Sequence, residues 1–189
     1  MGSYYPRRVF LVQHGKCTTE QENPDRPLTE EGSNDTEKIA SYLLRLNAEI
    51  SCCFSGVQQI WHSKKLRARQ TGEIFLKALG NKAQLVEKSN LSPNDSVEKF
   101  IEVDLTPADG LKQSVLIAGH LPFLEKLCSA LLQHKIWVED GKGEEKLDEL
   151  VGKLCPVVKF KNSGCVCMEN EKEGSGWIVR WAVTPGMEK

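Results

Sequence analysis

The stretch Val9-Phe10-Leu11-Val12-Gln13-His14-Gly15-Lys16 constrains the fold more than any other. Four consecutive apolar residues, Val9 to Val12, two of them β-branched, read as a short strand buried on both faces. Strands of that kind belong to open α/β sheets, where ligands bind just past the strands' carboxyl ends. This one runs out into His14-Gly15. The pattern returns at Ser114-Val115-Leu116-Ile117-Ala118-Gly119-His120, a second apolar strand ending in Gly and His. Two of the chain's four histidines thus stand at the ends of two buried strands.

Cys17 to Pro27, polar and carrying Asn23-Pro24 and Arg26-Pro27, reads as a loop. Thr29 then caps a helix with Glu30 and Glu31 in its first turn, where the helix dipole favours acid. Thr36, Ile39, Ala40, Leu43 and Leu44 form its apolar face, and it is expected to end near Asn47. Val57 to His62 reads as a second strand. Ser63 is expected to cap the next helix, from about Lys64 to Leu79, stopped at Gly80-Asn81. Its apolar face holds Thr71, Ile74, Phe75, Ala78 and Leu79. Four residues back on that face stands Arg67, while Lys65, Arg69, Glu73 and Lys77 take the opposite one. An inward arginine needs a partner charge or an anionic ligand. Its place in the first turn after a strand favours the ligand.

Gln84 to Val86 reads as a short strand, Leu91 to Asp95 as a turn, Val97 to Val103 as a short helix, and Asp104 to Gln113 as a loop. A helix from Pro122 to about His134 follows the second histidine strand. Proline there gives up a donor that the first turn leaves unpaired anyway. Residues 138–154, charged and interrupted by glycine, read as a peripheral insert. Pro156 to Phe160 reads as a strand. Gly164–Glu169 and Trp177–Val183 read as an antiparallel hairpin joined through Glu173-Gly174-Ser175-Gly176.

A chain of 189 residues, 40% hydrophobic and 27% charged, fits one globular domain, 1–189, with a full core. The net charge of −1 gives no reason to expect nucleic acid or an anionic membrane as partner. No apolar run approaches the ~18 residues of a membrane span. Arg7-Arg8 before Val9 imitates the start of a signal peptide, but four apolar residues are too few for its core. A cytoplasmic protein, monomeric, is expected. Seven cysteines, at positions 17, 52, 53, 128, 155, 165 and 167, include no Cys-x-x-Cys pair. Buried reduced thiols are expected, with Cys17, just past the first strand, open to oxidation. His62 and His134 read as structural or surface residues.

His14, His120 and Arg67 gather at one edge of the expected sheet, with Arg26 and Lys16 on adjoining loops. Donors and cations without a carboxylate cage suit an anion, phosphate foremost. Histidine can attack phosphorus directly, forming a phosphohistidine that water later hydrolyses. The second histidine and the arginine would neutralise charge as it develops. Such a site needs neither metal nor cofactor.

Four motifs in order resemble the histidine phosphatase superfamily, and within it the short SixA-like phosphohistidine phosphatase branch. Phe10 to Gly15 stands where that family has an apolar strand and Arg-His-Gly. Arg26-Pro27-Leu28-Thr29-Glu30-Glu31-Gly32 is similar to its Arg-Pro-Leu-Thr-x-x-Gly, and Ser63 to Thr71 to its Ser-x-x-x-Arg-Ala-x-Gln-Thr. Ser114 to Pro122 matches the second-histidine strand, and Trp177 to Pro185 resembles the last strand. The resemblance implies a three-layer α/β/α sandwich around a mainly parallel sheet, the phosphoglycerate mutase-like fold. It implies His14 as the phosphorylated nucleophile, Arg67 and His120 as phosphate-pocket residues, and Arg26 at the rim. The implied substrate is a phosphohistidine on a partner protein.

Two departures bear on activity. The family's arginine before the nucleophile is Gln13 here, a neutral amide in place of a charged fork. Losing such a contact costs roughly 10²-fold in rate, and Lys16 is the cation nearest in sequence that could replace it. The glutamate acid of many members also has no counterpart, since the region offers only Asn94, Asp95 and Glu98. Three functions follow: a protein phosphohistidine phosphatase, a small-molecule phosphatase capped by residues 138–154, or a catalytically weak phosphate- or partner-binding module. Lys64, Lys65 and Arg69 form a basic patch near the site, read as a solvated helix face or a dock for an acidic partner.

Overall fold

A computed structural model describes residues 8–50, 54–106, 114–139, 156–170 and 176–187. Within them six strands form one sheet: β1 (Arg8–Gln13), β2 (Val57–His62), β3 (Gln84–Glu87), β4 (Ser114–Gly119), β5 (Cys165–Asn170) and β6 (Trp177–Val183). The order is β3-β2-β4-β1-β5-β6. Pairings from β3 to β1 are parallel, and β5 runs antiparallel to both β1 and β6.

Apolar alternation along the central strands sorts side chains into two cores. Val9, Leu11, Val115 and Ile117 face one layer, where they meet α3 (Val97–Phe100) and α4 (Phe123–Glu139) through Phe100, Phe123 and Leu127. Phe10, Val12, Leu116 and Ala118 face the other, against Ile39 and Leu43 of α1 (Glu30–Ile50) and Phe75 of α2 (Leu66–Ala78). Both faces of β1 are therefore dry, as a continuous apolar run requires. The result is a three-layer α/β/α sandwich around a mostly parallel sheet.

This topology positions the site. The chain leaves β1 for α1 in one layer and leaves β4 for α4 in the other, although β1 and β4 are neighbours. Such a divergence opens a crevice at the strands' carboxyl ends. Gln13 pairs with Gly119 across these strands, so His14 and His120 emerge at the same level.

The limits of β2 and β4 fall where the apolar runs place them, and Thr29 caps α1, its Oγ1 accepting from the Gly32 amide at 3.1 Å. Other expectations need correction. Helix α1 continues to Ile50 rather than Asn47 and α4 to Glu139 rather than His134, because nothing in either stretch breaks a helix. Ser63 does not cap α2. Lys65 holds that position without a side-chain bond, and the Ser63 hydroxyl is turned toward β4. Pro156–Phe160 is not a strand; Val157 is solvent-exposed and only Phe160 is buried. Asp104 belongs to a π-helical turn, Ile101–Leu105, that continues α3. The wider turn lets the buried Asp104 carboxylate reach Lys88 at 2.9 Å. Most of the expected insert, 140–154, lies outside the described residues, as do the 171–175 stretch of the hairpin turn and Cys52, Cys53 and Cys155. Cys128, Cys165 and Cys167 are buried, and burial pushes the Cys128 thiol up to about 12. No helix among the described residues is long and apolar enough to cross a membrane.

Candidate active site

The loop after β1 is held by its own backbone. His14 N–H donates to the Gly119 carbonyl at 3.0 Å, and Gly15 N–H to Thr71 Oγ1 at 3.1 Å. Gly15 packs so closely on α1 that a Cβ there would lie 2.7 Å from the Gly32 carbonyl oxygen, and a Cβ on Gly32 would strike the Lys16 backbone. The glycines of the two motifs are thus one close contact, which seats the His14 loop on the first turn of α1.

Helix α2 supplies the other wall, and its motif separates by role. Arg67 reaches the site, Ala68 is fully buried beneath it, and Gln70 Oε1 accepts from Leu28 N–H at 2.8 Å. Thr71 donates to the Arg67 carbonyl at 2.8 Å while accepting from Gly15. One turn of helix therefore fixes both the loop carrying His14 and the loop carrying Arg26.

His14 Nδ1 lies 2.8 Å from the Gly15 carbonyl oxygen, which can only accept. The ring proton is therefore on Nδ1 and the lone pair on Nε2. Arg67 Nε donates to that lone pair at 3.2 Å. The His120 ring lies 5.0 Å from the His14 ring, centroid to centroid. His120 is 1% exposed, its Nε2 is 2.6 Å from Ser63 Oγ, and its buried Nδ1 has no partner among the described residues. Arg26 stands at the rim in a left-handed backbone conformation, φ 50°. Its Nε donates to the Thr18 carbonyl at 3.1 Å and an Nη contacts Cys17 Sγ at 3.5 Å.

The structure thus brings together His14, Arg67 and His120, with Arg26 and Cys17 alongside. It does not bring Lys16, whose exposed ammonium is bound to Glu31. Gln13 lines an adjoining cleft of about 410 Å³ together with Lys16, Glu31, Asp35, Lys161 and Asn162, and its buried Oε1 has no partner among the described residues. Asp95 is consumed in its turn, accepting from Ser92 N–H at 2.6 Å. Ser63 and Asn162 are the site residues that sequence reasoning missed. Asn162 Nδ2 donates to the His14 carbonyl at 2.8 Å and ties the turn before β5 to the His14 loop.

Arg67 is buried, and among the described residues no carboxylate lies within 4 Å of it. Burial and then the Arg26 charge lower its pKa, partly offset by Cys17; the guanidinium remains charged. Burial, opposed by the Gly15 hydrogen bond and reinforced by Arg67 and Arg26, pushes His14 down to about 4. Burial, with the charges of His14, Arg67, Lys65 and Arg26, pushes His120 down to about 3. At neutral pH the site therefore holds cationic guanidiniums and two neutral rings, an arrangement suited to an anion.

These shifts predict acid sensitivity. Below the ordinary histidine value of 6.5 the unfolded chain takes up protons that the folded chain refuses. Stability is complete above about pH 6.5 and falls as pH drops, by up to about 1.4 kcal/mol per histidine per pH unit. Urea unfolding at pH 7.5, 6 and 5 is expected to give steadily lower midpoints, restored in part by phosphate. A midpoint unchanged from pH 7.5 to 5 would contradict the neutral pair.

No protein-family model and no curated protein matches the sequence significantly. Solved structures do. A protein from Agrobacterium tumefaciens assigned as a phosphohistidine phosphatase SixA superposes with a TM-score of 0.64 at 24% identity, covering 96% of this chain and 99% of that one. The protein histidine phosphatase SixA complexed with tungstate gives 0.62 at 22% identity, covering 94% and 97%. Phosphoglycerate mutase from Plasmodium falciparum gives 0.58 at 19% identity, covering 92% and 88%. At such identities the likeness is one of fold: the chain has the phosphoglycerate mutase-like fold.

Proposed function

We propose that this chain is a phosphatase that works through a phosphohistidine formed on His14, and that its substrate is a phosphohistidine of a partner protein. The observation that carries the proposal is the His14 ring itself. Its proton is fixed on Nδ1 by the Gly15 carbonyl, so Nε2 carries the lone pair, which accepts from the Arg67 guanidinium until a phosphoryl group draws that guanidinium to its own oxygens; among the described residues no carboxylate competes for it.

The chemistry follows from the parts. Nε2 attacks phosphorus in line, and the bond from phosphorus to the substrate's leaving group breaks as the new P–N bond forms. Arg67 holds the equatorial oxygens as their charge shifts. Arg26, at the rim, adds a second fixed positive charge. Water then attacks the phosphoryl group on His14, releasing phosphate and restoring the ring. Imidazole leaves more readily than an alkoxide, so a phosphohistidine substrate asks little of a general acid. The tie between Asp95 and its own turn fits that economy. The structural neighbour complexed with tungstate, an oxyanion, supports the same pocket by fold analogy.

The test is metal-free hydrolysis of a chemically phosphorylated histidine protein beside a phosphoserine peptide. Preference for phosphohistidine supports the proposal. Equal turnover of small phosphate esters would move it to a small-molecule phosphatase.

Gln13 favours a second reading, a phosphate- or partner-binding module of low activity. No arginine stands before the nucleophile, and Lys16 is occupied by Glu31. The cleft beside Gln13 has room for a longer side chain. Gln13→Arg is expected to raise kcat/KM by roughly 10²-fold, since it adds a charged fork to a developing phosphoryl charge. An unchanged rate would show that the site already neutralises that charge.

A further inference from the structure

Ser63 directly follows β2, and its side chain has no access to solvent. A hydroxyl carries one proton and two lone pairs. Its oxygen accepts from the Lys65 amide at 3.3 Å, and its other contact is His120 Nε2 at 2.6 Å. Among the described residues no other acceptor lies within reach of the Ser63 proton. Were Nε2–H to donate to Ser63 instead, that buried hydroxyl proton would be orphaned at a cost of about 1–3 kcal/mol. His120 Nδ1 would then be a bare lone pair turned toward an anion.

We infer that Ser63 is a positioning residue: its hydroxyl donates to His120 Nε2 and fixes the His120 proton on Nδ1, the buried atom that has no partner among the described residues. This rests on the pocket being a phosphoryl site. The two histidines then differ in what they present. His14 shows a lone pair on Nε2, set by a carbonyl that can only accept. His120 shows an N–H on Nδ1, set by a hydroxyl that donates. One ring attacks phosphorus, and the other donates to a phosphoryl oxygen without carrying a charge that would repel Arg67. Tautomer choice, rather than protonation, separates nucleophile from donor. An imidazole held in the wrong tautomer loses its donor, as costly as removing an oxyanion-hole group.

The measurement is a long-range proton–nitrogen NMR spectrum of the ¹⁵N-histidine-labelled protein at pH 7, with His120 assigned through His120→Gln. The expected result is an Nδ1–H signature for His120 in the wild-type chain, mixed or reversed in Ser63→Ala and restored in Ser63→Thr. In hydrolysis assays Ser63→Ala is expected to lose on the order of 10²-fold in kcat with little change in KM, and Ser63→Thr to recover most of it. An Nε2–H signature in the wild-type chain, or a tautomer unmoved by Ser63→Ala, overturns the inference. The wild-type spectrum decides it even where Ser63→Ala does not fold. It also decides independently of turnover, so a protein that hydrolyses nothing yet shows Nδ1–H refutes the phosphatase reading and leaves this one standing.

Discussion

His14→Ala is expected to abolish phosphohistidine hydrolysis, by on the order of 10⁴-fold or more, as removal of a covalent nucleophile does elsewhere. The fold is expected to survive. His14 is only partly buried, and its backbone is held independently of the ring, by Gly119 on one side and Asn162 on the other. Arg67, Arg26 and His120 stay in place, so tungstate should still stabilise the variant. Phosphate transferred to the wild-type chain from a labelled substrate should survive alkali and be lost in acid, the behaviour of a P–N bond, and no label should remain on His14→Ala. The variant should also be less sensitive to acid, because one of the two rings whose pKa is lowered is gone. Label on His14→Ala equal to that on the wild-type chain would place the nucleophile elsewhere. A wild-type rate no higher than that of the variant would favour the binding module.

Much of this site is legible in the sequence, because the features that build it are local. The runs Val9–Val12 and Val115–Ala118 are apolar without interruption, which only a strand buried on both faces explains. The histidines follow those runs directly. Arg67 is legible because helical periodicity alone assigns it to the inward face, where it is found. The residues that resist reading act at long range. A serine between a strand and a helix reads locally as a cap, yet Ser63 spends its hydroxyl on His120, 57 positions away. Asn162 lies in a polar turn with nothing to mark it, and only the return of the chain beside β1 brings it to His14. Lys16 differs from expectation for another reason: a flexible ammonium takes a carboxylate within its reach, here that of Glu31. Backbone pattern predicts position well. It predicts the partners of long polar side chains poorly, because those are chosen by tertiary contacts.

Arg67 offers the second large effect, and one that separates function from structure. A buried guanidinium costs free energy unless a carboxylate or an anion compensates it. Here the side-chain partner of Arg67 among the described residues is a neutral imidazole, and Arg26 repels it. Without an anionic ligand the protein therefore carries a charge that no described carboxylate compensates and that a bound anion would. Arg67→Met, similar in length and without charge, is expected to lower turnover by roughly 10²–10³-fold and weaken tungstate binding. It is also expected to raise the melting temperature of the ligand-free protein, by about 2–4 °C for each kcal/mol recovered. In saturating phosphate the order should reverse, since ligand at about 100 times its Kd adds about 2.7 kcal/mol to the chain that binds it. A structural arginine predicts the opposite: its replacement would lower the melting temperature with or without phosphate. Calorimetry of both chains, with and without phosphate, reads the two cases apart. The predicted crossing of stabilities is what a site built to be completed by its substrate requires.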